Sequence, residues 1–464
     1  MVQNMTAGKP VRLVMGLFWP VFAGSLLQQL YNLVDMLVVG QFISVNALSA
    51  VGSTGTLNSL VVGFVFGFTS GLGVLISRMF GANQLEKMRR YIANGIYLVG
   101  FIALLMTVCA LVFLRPLLRL MQTPDAVMDD AYTYIFIIFA GIPATVLYNF
   151  VAGVLRALGD GKTPSLFLIV AAAINVALDL ITVVVFGMGV EGVALATVFA
   201  NLVSGLLCLW KMYKSYPVLR LQKKHFRFSR RMIRELFHMG TPMALMTSIT
   251  MLSCTISQAA TNGLGTQAMA AVTTGGKIQN ILSVPMQSFG VALATYTGQN
   301  LGAQKLDRIK TGFRQILTIT LLYTVVAGAA MAVFGRWLSM IYLKPTETVS
   351  LDLAARYCLV VGSTFPLLGA LFVVRSTVQA LGYTLAAMLG GGLELAARCF
   401  VVFVLVAPFG YTALCFAEPL AWLSANVLLV ATLIRAIRQL HRRLAFLPAG
   451  PEAHRRRSKQ ITQT

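Results

Sequence analysis

Phe80-Gly81-Ala82-Asn83-Gln84-Leu85-Glu86-Lys87 returns 221 residues later as Leu301-Gly302-Ala303-Gln304-Lys305-Leu306-Asp307-Arg308. Outward from this pair the register holds. Pro20 recurs as Pro242, Ala50-Val51 as Ala271-Val272, Pro143 as Pro366, and Ala157-Leu158-Gly159 as Ala380-Leu381-Gly382, all at offsets of 221 to 223. One offset maintained across half a chain marks an internal duplication.

Composition says what each half is built from. The 464 residues are 57% hydrophobic and 11% charged, where a soluble protein carries about 25% charged residues. This excludes a water-soluble globule and a disordered chain, and six cysteines are too few for a disulfide scaffold. A hydrocarbon crossing needs about 20 mostly apolar residues in continuous helix. Twelve such runs are legible, near 12–38, 48–77, 92–114, 131–155, 163–186, 190–212, 236–260, 268–296, 313–335, 353–375, 384–406 and 411–434. The expected fold is therefore an all-α integral membrane protein with twelve transmembrane helices. Six spans per half is an even number, so the halves enter from the same side and form two parallel-repeat six-helix bundles. The expected division is an N-terminal lobe over 1–212, a basic linker over 213–235, a C-terminal lobe over 236–440 and a basic tail over 441–464.

The net charge of +22 resolves into topology. With the N-terminus inside, the inner segments carry Lys9, Arg12, Arg78, Lys87, Arg89, Arg90, Arg156 and Lys162. Nine more basic residues run from Lys211 to Arg234, then come Lys305, Arg308, Lys310 and Arg314, and eight from Arg435 to Lys459. The other side holds Arg115, Arg119, Arg336 and Lys344. That asymmetry predicts both termini in the cytoplasm. Membrane lipid, rather than nucleic acid, is the partner this charge implies. The first apolar run continues past a signal-peptide core and reads as a retained helix.

Acids within spans are expensive, about 2.5–3.5 kcal/mol each on insertion scales, and are functional candidates by default. Asp35, Asp179 and Glu394 lie deep in their runs. Tyr31 precedes Asp35 by one turn, and Asn175 stands in the same i, i+4 relation to Asp179. If the first and fifth spans face each other, these groups converge and hold either a shared proton or a desolvated sodium ion. The competing reading is a buried Asp that only accepts a packing hydrogen bond. In the second half Ser257 stands where the first has Asp35, and Glu394 and Arg398 take the places of Asn175 and Asp179. Their i, i+4 spacing with the acid first favours an intrahelical ion pair, and a substrate-binding role is the other possibility. Lys277 snorkels, partners an acid or meets an anionic ligand. Pro20 and Pro242 open their halves with either a static kink or a bend that moves Asp35 against Asp179. Gly63, Gly67 and Gly71 read as close helix packing. Met239, Met243 and Met246 form a stripe that suits packing, a lipid-facing surface or a pocket accepting differently shaped ligands.

His225, His238, His441 and His454 show no metal-ligand spacing, and no G-x-x-x-x-G-K-[ST] is present. No cofactor is expected, ATP is not the expected energy source within this chain, and an ion gradient is the remaining candidate.

Pro20…Tyr31-Asn32-Leu33-Val34-Asp35…Val39-Gly40, Ala47-Leu48-Ser49-Ala50-Val51-Gly52 and Arg156-Ala157-Leu158-Gly159-Asp160, set in twelve spans, resemble the multidrug and toxic compound extrusion (MATE) family over about residues 10–440. The likeness is to the bacterial branch that keeps its coupling acids in the first half. It implies a cytoplasmic-membrane antiporter that exports cationic or amphipathic compounds in exchange for H+ or Na+. Asp35, Asn175 and Asp179 match the family's coupling residues, and Asn149 and Thr197 fall where that branch has supporting polar residues in its fourth and sixth helices. The chain departs from the other branch, with Ser257 in the seventh helix and no acid in the tenth beyond Asp352 at its edge. The small-molecule substrate is expected between the halves of a monomer. Two rivals remain at this level. A flippase for lipid-linked oligosaccharides needs a cationic cavity, for which Lys277, Arg375 and Arg398 are the candidates. A prenyltransferase-like membrane enzyme needs Asp-rich magnesium motifs, and no span contains one.

Overall fold

In the computed structural model, residues 3–121 and 123–445 are described. The tail expected over 441–464 therefore lies outside the described residues from position 446 onward. The described chain is helical, without a β-strand. The first half comprises α1 (Pro10–Val38), α2 (Val45–Gly81), α3 (Leu85–Val112), the short α4 (Leu114–Leu120), α5 (Asp125–Ala140), α6 (Ile142–Ala157), α7 (Lys162–Leu180) and α8 (Val190–Ser215). The second comprises α9 (Arg230–Gly263), α10 (Thr266–Gly302), α11 (Leu306–Ser339), α12 (Thr348–Ser363), α13 (Phe365–Ala380), α14 (Thr384–Phe400), α15 (Val406–Cys415) and α16 (Ala417–Ala445).

Twelve columns result. Among the described residues nine helices are long and apolar enough to cross a membrane, and two further crossings are bent pairs, α5–α6 at 44° and α12–α13 at 49°. Each bend falls just ahead of a repeat-related proline, Pro143 or Pro366. A proline lacks the N–H of the helical ladder and crowds the carbonyl one turn back, so the chain breaks and restarts there. The twelfth column is α10. Thr273, Thr274, Lys277, Gln279 and Asn280 dilute its apolar surface, because part of it faces the other lobe instead of lipid. Where α1, α7 and α14 end, the ladder widens into π turns at Val39–Ile43, Ile181–Val185 and Val401–Leu405.

Of the hydrophobic clusters, the two largest gather residues from Leu57 to Ala244 and from Met246 to Ala436, and a third joins Leu17 and Phe18 of α1 to Phe289 and Leu293 of α10. The border between the two largest lies inside α9, beyond the 213–235 linker, because the first turns of α9 pack on α2 of the opposite lobe. The linker itself is pinned to the first lobe. Buried His225 meets Glu86 at 2.8 Å, and Arg89 donates to the Val218 carbonyl at 2.9 Å.

The repeated Phe-Gly-Ala-Asn motif is where the lobes cross. At the basic end the last turns of α2 and α10 approach so closely that a Cβ on Gly81 would collide with the Gln299 backbone, and one on Gly302 with the Arg78 carbonyl. Asn83 and Gln304 then turn the chain away in the left-handed region, at φ 56° and 59°. Further into the span Gly71 and Gly67 sit against the Met239 and Met243 carbonyls of α9, and Phe18 of α1 stacks on Phe289 of α10 at 4.0 Å. The segment ahead of α1 straps this seam. Met5, fully buried, takes a hydrogen bond from its own N–H to Gln299 Oε1 at 2.8 Å, while Asn300 donates to its carbonyl at 3.1 Å. Lys305 donates to the Thr6 carbonyl and Arg308 to that of Gly8, both at 2.9 Å. Arg78 reaches across to the Ala380 carbonyl at 2.7 Å.

Past the level of Gly63 the lobes part. A Cβ at Gly52, Gly55 or Gly276 meets nothing within 4 Å, and Gln28, Gln258 and Asn280 stand exposed within their spans. Polar side chains exposed at that depth are costly against hydrocarbon and suit an opening between the lobes. The molecule is thus sealed at its basic end and cleft at the other. Gly81→Leu should wedge the seal at a cost of about 1–3 kcal/mol. Pulsed electron resonance between spin labels at Lys87 and Asp307, on opposite lobes, is expected to show a longer distance than in the parent; an unchanged distance contradicts the close-crossing account.

Candidate ion-coupling site

The first and fifth spans do face each other. Asp35 lies in the last turn of α1 and Asp179 in the last turn of α7, each immediately ahead of a π turn. Their carboxyl groups come within hydrogen-bonding reach of one another. Asp179 is fully buried and Asn175 nearly so. Four acceptors in this cluster lack any donor, namely Asp35 Oδ1, both Asp179 oxygens and Asn175 Oδ1. The Asn175 amide points instead at Thr197 Oγ1, 3.4 Å away, and Thr197 donates to the Val193 carbonyl at 3.0 Å. Tyr31 stands within electrostatic range of both acids and touches Gln28, which is exposed to the cleft. Asn149 spends its amide on the Thr145 carbonyl of its own helix at 2.8 Å and makes no bond to the acids.

One contributor escaped the sequence reading. Tyr134, on α5, lies within electrostatic range of Asp35, Tyr31 and Asp179 and packs beside Val38, Val39 and Val183. A tyrosine in the apolar run Ala131–Ala140 was the available signal, but only tertiary packing shows which way it faces.

Two carboxyl groups brought together away from water, with no donor for these oxygens among the described residues, cannot both stay ionised without a counter-charge. A proton shared between them, or a small cation held by the four oxygens, completes them. No group of three or more His, Cys, Asp or Glu side chains set for a metal occurs among the described residues.

A model of the MatE family matches residues 20–181 and again 242–390, once in each half. The chain belongs to the MatE family. Its curated MatE-type relatives include a probable multidrug resistance protein, YoeA, of Bacillus subtilis strain 168, 28% identical over 79% of this chain and 80% of that protein. Another is an FAD transporter of Shewanella oneidensis, 22% identical over 80% and 82%. A solved MATE transporter of the MOP superfamily described in an outward-facing conformation superposes with a TM-score of 0.87, covering 95% of this chain and 98% of that one at 20% identity. The chain is accordingly a multi-pass membrane transporter and not an enzyme.

Against the MatE fold the remaining candidates separate. Met239, Met243 and Met246 are all buried. The first two lie in the seam against α2, and Met246 takes a hydrogen bond at its sulfur from Gln379 at 3.3 Å. Lys277 is exposed, its ammonium 5.2 Å from the Tyr342 ring centre. Pro20 sits inside an unbroken α1. Glu394 and Arg398 contact each other at only 3.7 Å, and each has a stronger partner on another helix. Glu394 pairs with Arg375 of α13, and Arg398 holds Glu418 of α16 through two bonds of 3.0 and 2.9 Å. Cross-helix ion pairs of this kind leave no trace in i, i+4 spacing.

Because its charge has no donor, the Asp35–Asp179 contact burdens the fold. Asp179→Asn is expected to raise the melting temperature of the purified ion-free protein, by an amount equivalent to about 1–4 kcal/mol. Scanning fluorimetry checks this, and a fall would mean that the acid is already satisfied.

Proposed function

We propose that this MATE-family transporter is a secondary antiporter that exports cationic or amphipathic compounds by alternating access, driven by H+ or Na+ at the Asp35–Asp179 pair. The observation that carries the reading is the approach of the half-buried Asp35 carboxyl to the fully buried Asp179 carboxyl, beside acceptors with no donor among the described residues. Empty and ionised, the pair repels, pressing α1 and α7 apart; occupied by one cation, it draws them together. Ion binding thereby acts on α1, whose opposite end belongs to the strapped seam. Asn175 and Thr197 tune the cluster, Tyr31 and Tyr134 border it, and Asn149 supports α6 nearby. Pro20, between seam and acid pair, is where α1 yields when the two ends move differently.

The basic end carries the inner loops, so both termini are placed in the cytoplasm and the cleft faces outward. In this state an external ion reaches the acid pair as substrate leaves. The protein works as a monomer of the bacterial cytoplasmic membrane, in two lobes over 1–212 and 236–440 joined by the 213–235 linker, with the coupling ion in place of any cofactor. Multidrug relatives such as YoeA favour drug-like cargo. A lipid-linked oligosaccharide is disfavoured, because Arg375 and Arg398 are neutralised by Glu394 and Glu418, which leaves Lys277 alone of the three candidate cations for a pyrophosphate.

Reconstituted into proteoliposomes, the parent should move an organic cation when a pH or a sodium gradient is imposed separately, which identifies the ion. Asp35→Asn at equal protein density should reduce that gradient-driven transport at least tenfold. Undiminished transport by this variant removes Asp35 from the mechanism.

A further inference from the structure

The second lobe contains the same cluster with a different filling. Tyr31, Asn175, Asp179 and Thr197 correspond, at offsets of 219 to 222, to Ser253, Glu394, Arg398 and Glu418. The four latter residues come from α9, α14 and α16, the repeat partners of α1, α7 and α8, and they also meet. The Arg398 guanidinium, 2% exposed, donates to Ser253 Oγ at 2.6 Å, to Glu418 at 3.0 and 2.9 Å, and lies 3.7 Å from Glu394. Arg375 closes the far side of Glu394. The two clusters therefore share their position, within one turn of a π segment, and differ in one respect. In the first lobe two carboxyls face each other without a cationic side chain of the described residues between them. In the second, Glu394 and Glu418 have a guanidinium between them. Ser257, which replaces Asp35, keeps a buried hydroxyl without a partner.

We propose that Arg398 is a tethered counter-ion that permanently fills, in the second lobe, the place a transported cation fills in the first. The second lobe then cannot respond to ions, all ion dependence resides in the first, and removing the guanidinium uncovers a latent site for a small monovalent cation between Glu394 and Glu418. A planar cation of guanidinium's size fits it best, because the fork that matched the Glu418 carboxylate is restored. Two cations supplied by one covalent and one exchangeable group also explain why the duplicated halves diverged: symmetric exchangeable sites would drive both lobes at once.

This inference rests on the acid pair being the ion site of the first lobe, and the test separates the two. In an Asp35→Asn/Asp179→Asn background, which silences the first lobe, the melting temperature of the purified protein should not change with Na+, pH-neutral guanidinium chloride at millimolar concentration, or N-methylglucamine. Adding Arg398→Ala should lower it, and guanidinium, but not N-methylglucamine, should restore it saturably. Glu418→Gln on top should abolish that rescue. Absence of rescue in a folded Arg398→Ala protein overturns the proposal. If Arg398→Ala does not fold, the background variant still decides, because a remaining Na+ or guanidinium response with Arg398 present would show an exchangeable site in the second lobe. Loss of coupling in Asp35→Asn bears only on the first-lobe reading.

Discussion

Two carboxyl groups, Asp35 and Asp179, come together inside a membrane protein, and among the described residues Asp35 Oδ1 and both Asp179 oxygens have no hydrogen-bond partner. Everything else in the first lobe is arranged around that contact. An isolated acid at this depth costs about 2.5–3.5 kcal/mol, and two in contact repel, so the fold retains them against its own stability. The opposing solution is visible in the same molecule. Arg375, Glu394, Arg398 and Glu418 form a balanced set of two cations and two anions, each with a partner from another helix. One cluster is closed by its own counter-ions, and in the other three carboxyl oxygens have no partner among the described residues.

The incompleteness matters mechanically because of what α1 connects. Its last turn bears Asp35, and the segment before its first turn is Met5 to Gly8, strapped by Gln299, Asn300, Lys305 and Arg308 of the other lobe. A change in the α1–α7 separation thus has a continuous helical route to the seam. The seam is held by backbone proximity at Gly81 and Gly302 and by hydrogen bonds to main-chain carbonyls, both of which are all-or-none contacts. A seal of that kind opens by separating rather than by stretching.

Much of this was legible in the residues, for physical reasons. Duplication shows as a constant offset, spans show because lipid tolerates little else, and intramembrane acids show because they are rare. Helical spacing paired Tyr31 with Asp35 and Asn175 with Asp179, and only the packing of α1 on α7 brings the two pairs into one cluster. The remainder depends on three-dimensional neighbours. Tyr134 reaches the acids only through the packing of α5, and Glu418 reaches Arg398 from another helix, so neither has a local signature. The methionine stripe had two readings in sequence, and only the α2–α9 seam shows it buried. The 221-residue repeat announced its importance without saying that its glycines mark the crossing of the lobes.

The central claim is that the Asp35–Asp179 pair binds one exchangeable cation, and carboxyl infrared difference spectroscopy of the purified protein reads it most directly. Switching between ion-free and ion-loaded conditions should change the carboxyl band by the equivalent of one group, and the change should vanish in Asp179→Asn while surviving in Glu418→Gln. An ion-induced carboxyl signal that persists unchanged without Asp179 would contradict the account.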